Sequence, residues 1–283
     1  RCRRHPTTLE CHRGRGALMV ALKSGREIEL MHRSGRVTAG VLTELMQSAR
    51  PGMTTGELDA MAERGIRACG AVPTFKGYHG FSGSICASVN EEVVHGIPGN
   101  RVLHDGDLLS IDIGSTLEGY VSDTAVTIPI GSISEAARRL LEVTRECLTI
   151  GIEQMRDGNR IGDIGASVQQ HAEKSGYGVV RELVGHGVGR EMHEEPQVPN
   201  YGTRGTGMVM RSGLVLAIEP MITEGNYRVN VQRDGWTVVT QDGKLAAHFE
   251  HTIAVTNDGP KVLTLRDFAE DPELERYRLA AVA

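Results

Sequence analysis

The chain has 283 residues, 40% hydrophobic and 24% charged, with a net charge of −5. That mix excludes disorder, and the acidic balance argues against a nucleic-acid binder, so no direct nucleic-acid partner is expected. No apolar run approaches the roughly 20 residues of a bilayer span, so no membrane partner is expected either.

Residues 1–18 carry five arginines and no periodicity. They read as an extension outside the fold, with a basic interaction arm as the alternative. The organised pattern runs over 19–265 as one catalytic domain. Residues 266–283 read as a polar tail or peripheral helix. Five cysteines, Cys2, Cys11, Cys69, Cys86 and Cys147, form no C-x-x-C pair, which points to a reduced, cytoplasmic setting.

From Ser24 to Ala49 apolar residues recur at three- and four-residue steps, predicting a helix that Pro51-Gly52 ends. A second helix opens at Thr54-Thr55-Gly56-Glu57, a capping-box spacing, and stops at Cys69-Gly70. Leu108–Gly114 and Val121–Ile130 read as strands, and Ser132-Ile133-Ser134-Glu135 predicts another capped helix start.

The segment Arg50–Ala60 resembles Arg156–Ala166 at an offset of 106, with Arg, both glycines, an acid and Ala in register. Gly70 and Gly176 keep that offset, and Asp107–Asp112 resembles Leu214–Glu219 at 107, each strand ending in a carboxylate. Two matches in nearly one register over about 60 residues favour an internal duplication. The expected fold is therefore α+β, with two pseudo-symmetric halves near 24–150 and 151–265 that share one interface. Coincident helix-entry chemistry is the simpler alternative, but it does not explain why the strand acids also coincide.

Asp112 and Asp123 flank the turn-like Leu117-Glu118-Gly119, and their midpoint lies between Leu117 and Glu118, so they are expected to face each other directly across a hairpin. Two such acids on a buried strand repel unless a proton or cation lies between them. A solvated hairpin pair is the bland alternative, but their flanks are apolar. Gly185-His186-Gly187 brackets a histidine with residues that allow close backbone approach, which favours a ligand or catalytic role over a core histidine. His193-Glu194-Glu195-Pro196 lacks the second histidine of a zinc helix. Glu219 precedes Pro220, and Glu250 precedes an apolar strand at Thr252–Val255. Two Asp, two Glu and one His form a hard, oxygen-rich set that suits a pair of Mn, Fe, Co or Zn ions. Four carboxylates balance two divalent cations, so a binuclear metallohydrolase is expected.

The motifs His95-Gly96-Ile97-Pro98-Gly99, Ile111-Asp112, Ser122-Asp123-Thr124, Gly185–Gly189, Met192–Pro196, Ile218–Met221 and Phe249–Thr252 occur in order from about Met19 to Leu265. Together they resemble type I methionine aminopeptidases. The resemblance implies a pita-bread fold, two pseudo-symmetric halves around a curved, mainly antiparallel sheet. It implies two divalent ions (Co, Mn, Fe or Zn) held by Asp112, Asp123, His186, Glu219 and Glu250, with Asp123 and Glu250 bridging. It also implies removal of the initiator Met ahead of a small second residue, by a hydroxide shared between the ions. Glu219 is the implied proton shuttle, and His95 and His193 are the implied hydrogen-bonding groups at the scissile amide. By motif position, Tyr78, Phe81, Met192 and Trp236 line the Met pocket, with Phe75 and Cys86 nearby and His79 at its mouth. Without the resemblance, His79 and His95 would read as loop histidines and Trp236 as core. The implied partners are nascent N-termini at the ribosome, met by a cytoplasmic monomer. Phe75, Met192 and His248 depart from residues frequent in that family, in the pocket and beside the ligands.

Two rivals compete. An X-Pro aminopeptidase or prolidase shares the fold but usually carries a large N-terminal domain, which the residues before the first helix do not supply. A non-catalytic binding protein on this scaffold would have lost ligands, whereas all five are present here.

Overall fold

A computed structural model describes residues 20–266 and 272–279. The expectation for residues 1–18 lies outside the described residues. Helix α1, Gly25–Ser48, begins where Ser24 Oγ accepts from the Glu27 N–H and the Glu27 carboxylate accepts from the Ser24 N–H. This reciprocal pair satisfies donors that the first turn cannot. Helix α2, Thr55–Ala68, repeats the device with Thr54 and Glu57. Helix α3, Glu135–Glu153, departs from the expected start. Its cap is Ser134, which accepts from the Ala137 N–H, while Ser132 donates its N–H to Asp105. Ser132 is therefore held by a loop acid rather than by the helix. Helix α4, Ile161–Lys174, follows.

The duplication is visible atom by atom. Helices α2 and α4 have 14 residues each and start and end at the sequence offset of 106. Gly52 and Gly158, with φ of 91° and 93°, make the turn before each helix, and Gly70 and Gly176 close each helix at 74° and 87°. Four backbone hydrogen bonds recur in pairs. Gly52 N–H donates to Leu103 O as Gly158 does to Met210 O, and Leu103 N–H donates to Met53 O as Met210 does to Asn159 O. Thr55 donates to Arg101 O as Ile161 does to Met208 O, and Gly56 donates to Gly99 O as Gly162 does to Thr206 O. The helix entries are thus laced to equivalent loops in both halves.

Among the described residues the strands pair antiparallel, with one isolated parallel bridge between Val262 and Arg278. In the first half the hairpin of Leu108–Leu117 and Tyr120–Pro129 is flanked by Ile85–Val89 and Val72–Pro73. In the second half Val215–Ile218 sits at the centre of a five-stranded sheet, between His251–Thr256 and Gly185–Gly187. Helix α1 packs on the hairpin and on α2, and α3 packs on α4. One apolar cluster runs through both halves, including Leu42 and Leu45 of α1, Ile111, Ile164 and Val168 of α4, Leu216 and Ile253. It also takes in Leu274 and Tyr277 from the 3₁₀ turn Pro272–Tyr277. A core shared by the halves agrees with the two-halved arrangement that the duplication predicts and with the pita-bread fold that the resemblance implies.

The hairpin register corrects one expectation. Asp112 pairs with Ala125, and Asp123 pairs with Gly114. The turn is centred on Glu118-Gly119, with φ of 52° and 77°, one residue beyond the expected midpoint. The two acids are therefore diagonal rather than directly opposed. They still share a face, because register shifts of two keep side chains on the same side of a strand.

Backbone approach at the helix entries sets a testable cost. A Cβ on Gly162 would lie 2.5 Å from Thr203 O and 2.8 Å from Thr206 O, whereas one on Gly40, mid-α1 and exposed, meets nothing within 4 Å. Gly162→Ala should lower unfolding stability by about 1–3 kcal/mol. Gly40→Ala should raise it by about 0.5–1 kcal/mol. Urea unfolding of the two variants beside the parent checks both signs.

Candidate metal centre

Two buried acids are delivered by the seam between the halves. The strand carrying Asp123 runs antiparallel to the segment carrying Glu250. Glu250 N–H donates to Ala125 O at 2.9 Å, and Ala125 N–H donates to Glu250 O at 3.4 Å. On either side a threonine hydroxyl takes the place of a backbone partner. Thr252 Oγ1 accepts from Asp123 N–H and donates to Asp123 O, and Thr127 Oγ1 accepts from His248 N–H and donates to His248 O. Neither acid can move without breaking this seam.

His186 arrives from the other side on the strand Gly185–Gly187. Its glycine neighbours are required by crowding, since a Cβ at Gly185 would lie 2.4 Å from Ala217 O and one at Gly187 would lie 2.3 Å from Glu195 O. His186 Nδ1 sits 2.8 Å from Gly187 O. A carbonyl only accepts, so Nδ1 carries the proton and Nε2 keeps its lone pair free for a ligand. That Nε2 lies 3.7 Å from Asp123 Oδ2 and 3.6 Å from Glu219 Oε1.

Ligand atoms of Asp123, His186 and Glu250 all lie within 4.8 Å of one another, and all three residues are buried. The Asp112 carboxyl lies against that of Asp123. Glu219 follows the central strand Val215–Ile218, and its carbonyl accepts from buried Asn200 Nδ2 at 3.0 Å. The structure thus brings Asp112, Asp123, His186, Glu219 and Glu250 to one place.

The electrostatics of that place are severe. Burial raises the pKa of Asp112 to about 7. Burial, then the charges of neighbouring acids, pushes Asp123, Glu219 and Glu250 well above the usual carboxylate range. Burial also lowers His186 to about 3, His248 to about 3 and His95 to about 4. Oδ1 of Asp112, Oδ1 of Asp123 and Oε1 of Glu250 are buried with no hydrogen-bond partner. Orphaned carboxylate oxygens beside an imidazole lone pair fit a divalent cation, which would satisfy them together.

Beside the acids lies an apolar cluster that includes Phe75, Phe81, Cys86 and Met192, with Tyr78 and Trp236 packed against it. Phe81 and Trp236 rings are 5.1 Å apart, edge to face, and His95 meets Trp236 at 6.5 Å. His193 is exposed, 4.3 Å ring to ring from His186, and its Nδ1 is 2.7 Å from the Tyr78 hydroxyl. His79 is also exposed, edge-on to Tyr78 at 4.4 Å. His79 and His95 have φ of 47° and 60°, left-handed conformations that cost energy outside glycine.

Several supporting residues were not foreseen. Lys23 Nζ pairs with Glu194 at 2.6 Å, and Glu194 also accepts from the Arg190 and Glu191 N–H groups, clamping the loop that carries Met192 and His193. Nothing local in sequence announces a pair 171 residues apart. Thr127 and Thr252 were legible only as polar residues on otherwise buried strands, which must find partners.

The sequence pattern described as metallopeptidase family M24 matches residues 29–257. The methionine aminopeptidase of Clostridium acetobutylicum is 52% identical over 248 residues, covering 87% of this chain and 99% of its own length. The crystal structure of the methionine aminopeptidase from Thermotoga maritima has a TM-score of 0.86 at 45% identity, covering 87% of this chain and 99% of that one. The prolidase of Pyrococcus furiosus shares the fold alone, with a TM-score of 0.72 at 22% identity over 88% of this chain and 66% of that one. The chain belongs to metallopeptidase family M24, among its methionine aminopeptidases, and is a metal-dependent hydrolase.

The raised acids make stability depend on pH in a defined direction. A folded carboxylate with raised pKa holds its proton more tightly than the unfolded chain does. Its contribution is complete below the unfolded carboxylate range and is lost as pH rises through the folded value, about 7 for Asp112. The lowered histidines act oppositely, but their contribution is already complete above their unfolded value of 6.5. The thermal midpoint of the chelator-treated chain should therefore fall between about pH 6.5, where the histidine contribution is complete, and the folded value of Asp112 at about 7, with the more strongly held protons of Asp123, Glu219 and Glu250 carrying the fall further, and added Mn²⁺ should reverse the fall. A midpoint independent of pH and Mn²⁺ in that range contradicts this electrostatic reading.

Proposed function

We propose that this chain removes the amino-terminal Met from peptides and nascent proteins whose second residue is small. The observation that carries the reading is the adjacency of two features: a cluster of buried acids with orphaned oxygens, and an apolar, aromatic cluster whose side chains suit contact with an unbranched thioether.

In this reading Asp112, Asp123, His186, Glu219 and Glu250 would hold two divalent cations. Bound there, such ions supply Lewis acidity toward the scissile carbonyl and an activated water near neutral pH. The remaining work belongs to side chains of this protein. Glu219, held between two imidazoles, moves a proton from the attacking water to the leaving amine. The Tyr78 hydroxyl occupies His193 Nδ1, so Nε2 is the nitrogen left to face the scissile amide. His95 meets the same amide from the opposite loop. Tyr78, Phe81, Met192 and Trp236 enclose the Met side chain, with Phe75 and Cys86 behind them and His79 at the rim. Lys23 and Glu194 keep the His193 loop in place. No helix among the described residues is long and apolar enough to cross a membrane. A cytoplasmic monomer that meets nascent chains at the ribosome completes the proposal.

The test is hydrolysis of Met-Ala-Ser, Met-Leu-Ser and Ala-Pro-Ser by the full chain, stripped with chelator and reloaded with Mn, Fe, Co or Zn. Metal-dependent release of Met from the first and little from the second is expected. Preference for the X-Pro peptide would support the prolidase reading instead. Glu219→Gln should lower turnover by about 10²–10⁴-fold, measured on Met-Ala-Ser.

A further inference from the structure

Glu219 has a second imidazole that the five-residue set does not use. His186 Nε2 stands 3.6 Å from Oε1 of Glu219, and His248 Nε2 stands 3.7 Å from Oε2. His248 is 2% exposed, and neither of its ring nitrogens has a hydrogen-bond partner among the described residues. Its backbone, by contrast, is fully engaged. The strand Ala246–His248 pairs with Met221–Thr223, and Thr127 Oγ1 binds both the N–H and the C=O of His248. Sheet and seam therefore fix where the ring lies, and they place it on the oxygen of Glu219 that faces away from His186. A buried polar ring left without a partner needs an explanation.

We propose that His248 is a positioning residue for Glu219. Its Nε2–H holds Oε2 and so reserves Oε1 for the cation shared with His186. The inference rests on the metal-centre reading above. The 3.7 Å separation exceeds a hydrogen bond, and a shift of about 0.5 Å closes it. A Glu219 carboxylate free to turn would present either oxygen or both, and would hold its ligand position less firmly. Partners that orient a ligand in this way typically change metal affinity by about 10–100-fold.

Two variants isolate the contact because both keep a neutral amide and differ only in reach. The amide nitrogen of His248→Gln extends to the place of Nε2, whereas that of His248→Asn stops near Nδ1. Calorimetric titration of the full, chelator-stripped chain with Mn²⁺ should show two ions on the parent. H248N should weaken one of them by about 10–100-fold, and H248Q should bind both within about 3-fold of the parent, the scale of context variation for such contacts. The visible spectrum of the Co²⁺-loaded H248Q chain should match the parent, because no ligand has been lost. Parent-like binding by H248N overturns the proposal, as does H248Q binding no better than H248N. A changed Co²⁺ spectrum in H248Q also overturns it, by making His248 a metal donor in its own right. A parent chain that binds no Mn²⁺ would refute the metal centre itself, an outcome distinct from a parent that binds two ions and is indifferent to position 248.

Discussion

Everything at the centre depends on the seam where Ala125 and Glu250 exchange backbone hydrogen bonds. Those bonds hold Asp123 and Glu250 side by side, both buried. Left to themselves, two carboxylates would separate or protonate, since burial and mutual charge both oppose ionisation. The threonines at 127 and 252 make separation costly by satisfying backbone groups on both sides of the seam. The fold thus imposes an arrangement that its own charges resist, and divalent metal is the kind of species that would resolve the conflict.

The same logic accounts for the histidine. Crowding between the strands at Ala217 and Glu195 excludes any side chain at Gly185 and Gly187. The strand can therefore pass close to its neighbours, and within it Nδ1 of His186 bonds Gly187 O, which sets the tautomer. A residue type, a bracket of glycines and one hydrogen bond together leave an imidazole lone pair beside two acids. The loop opposite, held by Lys23 and Glu194, supplies His193 and Met192 to the same opening.

Much of this was legible in the residues because a duplicated chain writes its plan twice. The 106-residue offset between Arg50 and Arg156 is the same offset that separates helices α2 and α4, and the loop residues that anchor their entries are 107 apart, as the strand acids are. Capping boxes at Ser24 and Thr54 and the glycine bracket at His186 are local devices, so local reading finds them. The start of α3 misled because Ser132 and Ser134 offer the same chemistry, and only the distant Asp105 decides which is free to cap. The register of the Asp112 hairpin misled for a similar reason. Glu118 adopts a left-handed conformation that its residue type does not advertise, and this moves the turn by one residue. The seam, including the bonds of His248 to Thr127, and the Lys23–Glu194 pair join residues more than a hundred positions apart, where no periodicity reaches. The resemblance to a known family supplied roles for His95, His193 and the pocket residues that spacing alone left as loop and core.

The most direct measurement is anomalous diffraction from crystals of the full chain grown with Mn²⁺. Two peaks about 3.5–4 Å apart, the usual spacing of paired catalytic ions, should lie within coordinating distance of Asp112, Asp123, His186, Glu219 and Glu250. A single peak, or ions bound elsewhere with these five side chains carrying none, would contradict the claim that the seam exists to gather charge around a pair of cations.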